Sequence, residues 1–129
     1  NDFTILSEFL ISYGYGYEGS GTDIAKSMAS QSDWTVSGMP GSPGNDPASN
    51  NISGFSSIPG GMRSASGVYD NLHYISATWD IYNDDLFPDI RAYTYRLRYD
   101  TGELIRSPIN KPSGAGIRCV SDNFYEPIQ

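Results

Sequence analysis

The segment Asn51-Ile-Ser-Gly-Phe-Ser-Ser-Ile-Pro-Gly-Gly-Met-Arg63 constrains this chain more than any other. Pro59 fixes one backbone dihedral and Gly60 and Gly61 then permit positive φ, so the chain must turn sharply and send Arg63 across the molecule. After that turn the pattern is β-like: Tyr74–Thr78, Tyr93–Tyr99, Leu104–Ser107 and Gly116–Val120 read as antiparallel strands, with Asp100-Thr101-Gly102 as a hairpin turn. Alternation places Tyr93, Tyr95, Leu97 and Tyr99 on one face, predicted as core. Thr94, Arg96 and Arg98 fall on the other, predicted as a display surface.

Before the turn the signals are helical. Asp2 is a candidate cap for a helix reaching about Tyr13, with Phe3, Leu6, Phe9 and Leu10 at helical spacing and Gly14 as terminator. Thr22 or Asp23 is a candidate cap for a shorter helix to Ser30, with Ile24 and Met28 on one face and Ala25 and Ala29 allowing close approach. Trp34 is expected to anchor the next stretch in the core. Residues 37–54 hold three of the eight prolines and read as a long irregular loop. At 129 residues the expectation is one domain, 1–129, of the α+β class, with 124–129 as a possible tail.

Charge narrows the partners. The first 62 residues carry six acids and one base, the remainder nine acids and seven bases, giving the net −7. Phosphate backbones need a basic surface, so nucleic acid is not an expected partner. No apolar run is long enough to span a bilayer, and direct membrane insertion is not expected. One cysteine excludes an internal disulfide and any multi-cysteine metal site.

Little in the chain points to catalysis. There is one His and one Cys, and an enzyme needs convergent nucleophile, base or metal groups. His73 reads as a packed or surface residue, and Cys119 as a buried small thiol within a closing strand. Asp80, Asn83, Asp84, Asp85 and Asp89 are hard oxygen ligands of the kind calcium takes, but their spacing is not that of an EF-hand. No catalytic residue, metal site or cofactor is assigned. The recognition signal is stronger: Trp79, Tyr82 and Phe87 stand among Asp80, Asn83, Asp84 and Asp85, followed by Arg96, Arg98, Ser107, Asn110 and Lys111. Aromatic contact area beside adaptable short polar groups is the composition of binding loops.

The motif residues Gly54, Phe55, Pro59, Gly60, Gly61 and Arg63 resemble the N-x-S-G-F-S-A-L-P-G-G-x-R motif of the Fibrobacter succinogenes major paralogous domain family. Gly116-Ile-Arg118-Cys119-Val120 is similar to that family's G-F-S-V-R-C-V ending. Phe3, Leu6 and Leu10 fall on its W-x-x-L-x-x-x-L helix face, and Met28 and Trp34 on its L-K-x-x-x-x-W segment. More loosely, Ile75-Ser-Ala-Thr78 stands where W-S-S-T is usual, and Ala92–Tyr99 where the family reads A-Y-Y-R-Y-L. The tryptophan of W-S-S-T, the upstream strand and the R-L-P-T lead-in are missing, which implies an N-terminally shortened unit.

The resemblance implies a C-type-lectin-like α+β fold with two N-terminal helices flanking a twisted, mostly antiparallel sheet decorated by long loops. It also implies an extracellular or outer-membrane, lipid-anchored or pilus-borne setting in Bacteroidetes and their relatives, and kinship with variable proteins of diversity-generating retroelements. The R-C-V ending also resembles the close of formylglycine-generating enzymes, whose catalytic cysteines lie elsewhere, so no activity carries over. The expected function is a cell-surface ligand-binding or adhesion module that recognises a protein or carbohydrate. Its expected site is residues 79–87 and the outward face of 94–111. The alternative expectation is an assembly domain at the tip or stalk of a surface appendage.

Overall fold

The computed structural model describes residues 2–120. Helix α1 spans Asp2–Ser12, so Asp2 stands inside the first turn, where its charge favours the helix N-terminus, and not at the capping position. The end is a Schellman motif on Gly14 at φ +81°: the Tyr15 N–H donates to the Leu10 carbonyl (2.9 Å) and the Gly14 N–H to that of Ile11 (3.3 Å). Leu10 is buried, and Leu6 and Tyr15 pack against the same cluster. Phe3 stacks on Tyr95 with centroids 4.5 Å apart. Phe9, expected on this inner face, is instead exposed and stacks on Tyr13, because the helix rests on the sheet along a narrow stripe.

The second helix is shorter than expected. Helix α2 is Ala25–Met28, and neither Thr22 nor Asp23 caps it through a side chain. Its first amide is held instead by a distant carbonyl, Ala25 N–H donating to Gly102 (3.0 Å). It stops before Ser30 because Ala29 turns extended and joins Ser57 in a parallel bridge. Ile24, Ala25, Met28 and Ala29 are nonetheless fully buried, with Trp34 and Leu97 in the same core.

The loop over residues 37–54 is irregular but pinned. A three-ten turn at Pro47–Ser49 leads to Asn50, whose buried amide donates to the carbonyls of Ser30 (3.0 Å) and Pro43 (2.9 Å). The Lys26 ammonium projects into the same turn and donates to the carbonyls of Asn45 and Asp46 and to Asn50 Oδ1. Burial pulls the Lys26 pKa below the ordinary lysine value, and Asp46 partly offsets that.

Strands β1 (Met62–Arg63) and β2 (Tyr69–Asp70) form a small antiparallel ribbon. The main sheet is β3 (Ile75–Asn83), β4 (Arg91–Arg98) and β5 (Ile105–Asn110), antiparallel in that order. The class is α+β. Registers Ser76↔Leu97, Thr78↔Tyr95 and Tyr95↔Arg106 put Tyr95 and Leu97 on the helix-covered face, as alternation predicts. Pro108 lies on edge strand β5, where a missing N–H is tolerated.

Three expectations about the sheet are corrected. The face carrying Thr94 and Arg96 is not an open display surface: Thr94 is fully buried and Arg96 half-buried, and Arg96 Nε donates to Thr94 Oγ1 (3.2 Å). The first main strand runs on through Trp79 to Asn83, since Trp79 and Asn83 keep pairing with β4 across an irregular step. Gly116–Val120 is no strand. Gly116 alone bridges Thr78, bonding Ala77 O (2.8 Å) and Trp79 N (3.0 Å), after which the backbone leaves the ladder. Cys119 is exposed accordingly, because no neighbouring strand covers it.

Candidate functional site

The β3–β4 connection is built around one buried carboxylate. Asp84 is 3% exposed: Oδ1 accepts from the Leu86 (2.7 Å) and Phe87 (3.2 Å) N–H groups, while Oδ2 pairs with Arg91 Nε at 3.0 Å. Both ends of the turn are closed by backbone bonds, Asp84 N to Arg91 O (3.0 Å) and Arg91 N to Phe87 O (3.0 Å). The Arg91 guanidinium also covers the Phe87 ring at 4.4 Å. A short aspartate accepting two amides is a turn-forming device, so the sequence 84–90 is fixed locally.

What this fixed turn presents is apolar. Ile81, Tyr82, Leu86, Phe87 and Ile90 all stand exposed around it, Leu86 at 80%. On one flank a shallow concavity of about 370 Å³ is lined by Thr4, Tyr82, Asn83, Asp85, Tyr95 and Arg106. The Arg106 guanidinium lies 3.5 Å over the Tyr93 ring, its Nε is 3.9 Å from Asp80 Oδ2, and Tyr93 Oη donates to Asp85 Oδ2 (3.3 Å). An aromatic plane edged by carboxylate, amide and guanidinium groups can stack against a flat apolar surface and exchange hydrogen bonds with it.

The structure divides the residues expected to form one patch. Tyr82, Asn83, Asp85 and Phe87 gather at the hairpin end, joined by Asn110 opposite Arg91 and by Lys111, whose N–H donates to Ile90 O (2.9 Å). Trp79 and Ser107 pair in register with Thr94 across the sheet, on the same face as Arg96. Arg98 is held by Asp100 (Nε to Oδ1 3.1 Å). Asp84, expected to set polar specificity, is consumed in building the turn, and the Asp80 carboxylate is buried to 3%. Sequence reasoning missed Arg106 and Tyr93, took in Ile81 and Leu86 within the expected span 79–87 without singling them out, and missed Ile90. The run of apolar residues on both sides of Asp84-Asp85 was a visible signal for the last three.

Among the described residues no three His, Cys, Asp or Glu side chains come together. His73 is exposed and its ring Nδ1 lies 2.7 Å from the Asp33 carbonyl. A second, larger concavity of about 820 Å³ lies between residues 56–63, the start of β3 and residues 114–118. No family model, curated protein or solved structure matches this chain.

Proposed function

We propose that the chain is a non-catalytic ligand-binding or adhesion module of a bacterial surface that recognises a protein or carbohydrate ligand through the end of the β3–β4 hairpin. The observation that carries this reading is the pairing of buried Asp84 with Arg91 beneath a ring of exposed apolar side chains. Exposed Leu, Phe, Ile and Tyr on a slack loop would collapse onto the core. Held on a turn with its amides and carboxylate satisfied, they form a preorganised contact surface, which lowers the ordering cost of binding. Asn83, Asp85 and Arg106 at its flank supply orientation. The resemblance to the Fibrobacter succinogenes major paralogous domain family supports an extracellular, C-type-lectin-like setting.

A second reading, an assembly domain within a surface appendage, is favoured by the outer side of α1. Ile5, Phe9 and Tyr13 are exposed there, a second apolar surface that a permanent neighbour would cover.

The test is a binding screen of the domain against arrayed glycans and surface proteins, with and without chelator, beside the Tyr82→Ala/Leu86→Ser/Phe87→Ala variant. Since all three side chains are exposed, the variant should keep the wild-type fold. A ligand lost by the folded variant supports the module; a ligand retained by it refutes the hairpin site. Loss on chelation alone would assign the binding to calcium, and capture only of envelope or appendage subunits would favour assembly.

A further inference from the structure

The hairpin makes no use of the two segments that stand out most in the sequence, and these face each other across the 820 Å³ groove. Its floor holds almost no side-chain bulk: Gly60, Gly61, Ser76, Ala77 and Gly116. Gly116 must be bare, since a Cβ there would lie 2.9 Å from the Ala77 carbonyl oxygen. The rim is apolar and exposed, with Ile58 at 65%, Tyr69 at 81%, Leu72 at 59% and Ile117 at 78%.

Two guanidinium groups line the same groove. Arg63 Nη1 donates to the Pro112 carbonyl (3.2 Å), and Arg118 Nη1 to that of Phe55. Both partners are neutral. Among the described residues the ion pairs are Arg91–Asp84, Arg98–Asp100 and Arg106–Asp80, and neither Arg63 nor Arg118 has a carboxylate. Guanidinium carries five N–H donors in a planar fork, so each keeps donors that a carboxylate would satisfy.

We infer that this groove binds an extended, acidic and apolar peptide segment of a partner protein. A floor of glycine and small residues admits a peptide backbone, the apolar rim takes its hydrophobic side chains, and Arg63 and Arg118 answer its Asp or Glu groups. Asp70 also lines the groove, its Oδ1 accepting from the Asn71 N–H (2.7 Å), so the lining carries two guanidinium groups against one carboxylate. In a chain that is −7 overall, an acidic ligand is still repelled by most of the surface and favoured here beside Arg63 and Arg118.

The experiment is selection of phage-displayed random dodecapeptides on the immobilised domain, followed by titration of the enriched peptides. Enrichment of Asp or Glu among apolar residues is expected, with affinity falling roughly tenfold or more in Arg63→Gln/Arg118→Gln. Should that variant misfold, Ile58→Asp/Ile117→Asp changes only exposed rim positions and is expected to weaken the same peptides by like-charge repulsion. No enrichment, enrichment without acids, or affinity unchanged in both variants would overturn the inference. Self-association of the domain that both variants abolish would also overturn it, by making a second copy the occupant.

Discussion

Arg118 lies over the ring of Phe55, its Cζ 4.0 Å from the centroid, while its Nη1 donates to the carbonyl of that same residue. One side chain thus clasps the Gly-Phe-Ser segment from 63 positions away. Phe55 in turn packs against the core and meets Phe3 edge-on at 6.4 Å. Replacing Arg118 by Ala removes the cation–π contact and one hydrogen bond, an expected loss of about 1–2 kcal/mol. Arg118→Lys keeps the charge but not the planar fork and should recover only part of it. Urea unfolding midpoints of the two variants give the comparison.

The Asp84–Arg91 pair should be the most sensitive point of the hairpin. Asp84→Ala leaves two turn amides and a partly buried guanidinium without their acceptor, at a cost of roughly 3 kcal/mol. Asp84→Asn keeps one acceptor for the amides and should cost less. In either variant, amide exchange at Leu86 and Phe87 should accelerate before that of the β4–β5 ladder. Equal acceleration throughout would mean that the carboxylate supports the whole fold and not the turn alone.

Two glycines of one motif separate backbone freedom from space. Gly61 has φ +74°, and a Cβ there would fall on the Asp70 carbonyl oxygen; Gly54 has φ +77° with nothing within 4 Å of its Cβ position. Alanine at Gly54 meets only the left-handed penalty, about 1 kcal/mol. Alanine at Gly61 must also move the β1–β2 ribbon and should cost ~3 kcal/mol or more. Thermal midpoints of the two variants should differ in that order.

Lys26 gives a pH dependence of unusual sign. Its folded pKa lies below 10.5, so between the folded value and 10.5 the unfolded chain binds more protons than the folded one. Stability from this group therefore rises as pH increases through that window, and below it the group is charged in both states and contributes no slope. Lys26→Met should remove that alkaline rise. It also strips the donor shared by Asn45, Asp46 and Asn50, lowering stability near neutrality by about 2 kcal/mol. Denaturation midpoints of both proteins between pH 8 and 10.5 measure the two effects together.

Local chemistry made much of this legible. Gly14 ended α1 where a left-handed residue must sit, and the alternation of Tyr95 and Leu97 fixed which face of β4 meets the helices. The proline and glycine segment leads Arg63 across the molecule to bridge Gly114, with Gly61, and not Gly60, taking the positive φ that the sequence permits. Among the candidate site residues, Tyr82, Asn83, Asp85, Phe87, Asn110 and Lys111 are brought to one end because a hairpin returns its neighbours in register.

Other features have no signature along the chain. Asp84 and Asp85 are identical neighbours, yet one is buried against Arg91 and the other faces the flank concavity, since burial depends on which way the turn rolls. Trp79 was set apart from Tyr82 by an irregular step in strand pairing, and Gly116–Val120 lost its expected ladder because its backbone turns away from the edge of β3 after the single bridge at Thr78. Periodicity and turn residues act over a few neighbouring positions, and those the sequence alone determined. Which carboxylate is buried, which arginine finds an acid and which apolar residues stay in water depend on packing between segments tens of residues apart, and that only the tertiary structure decided.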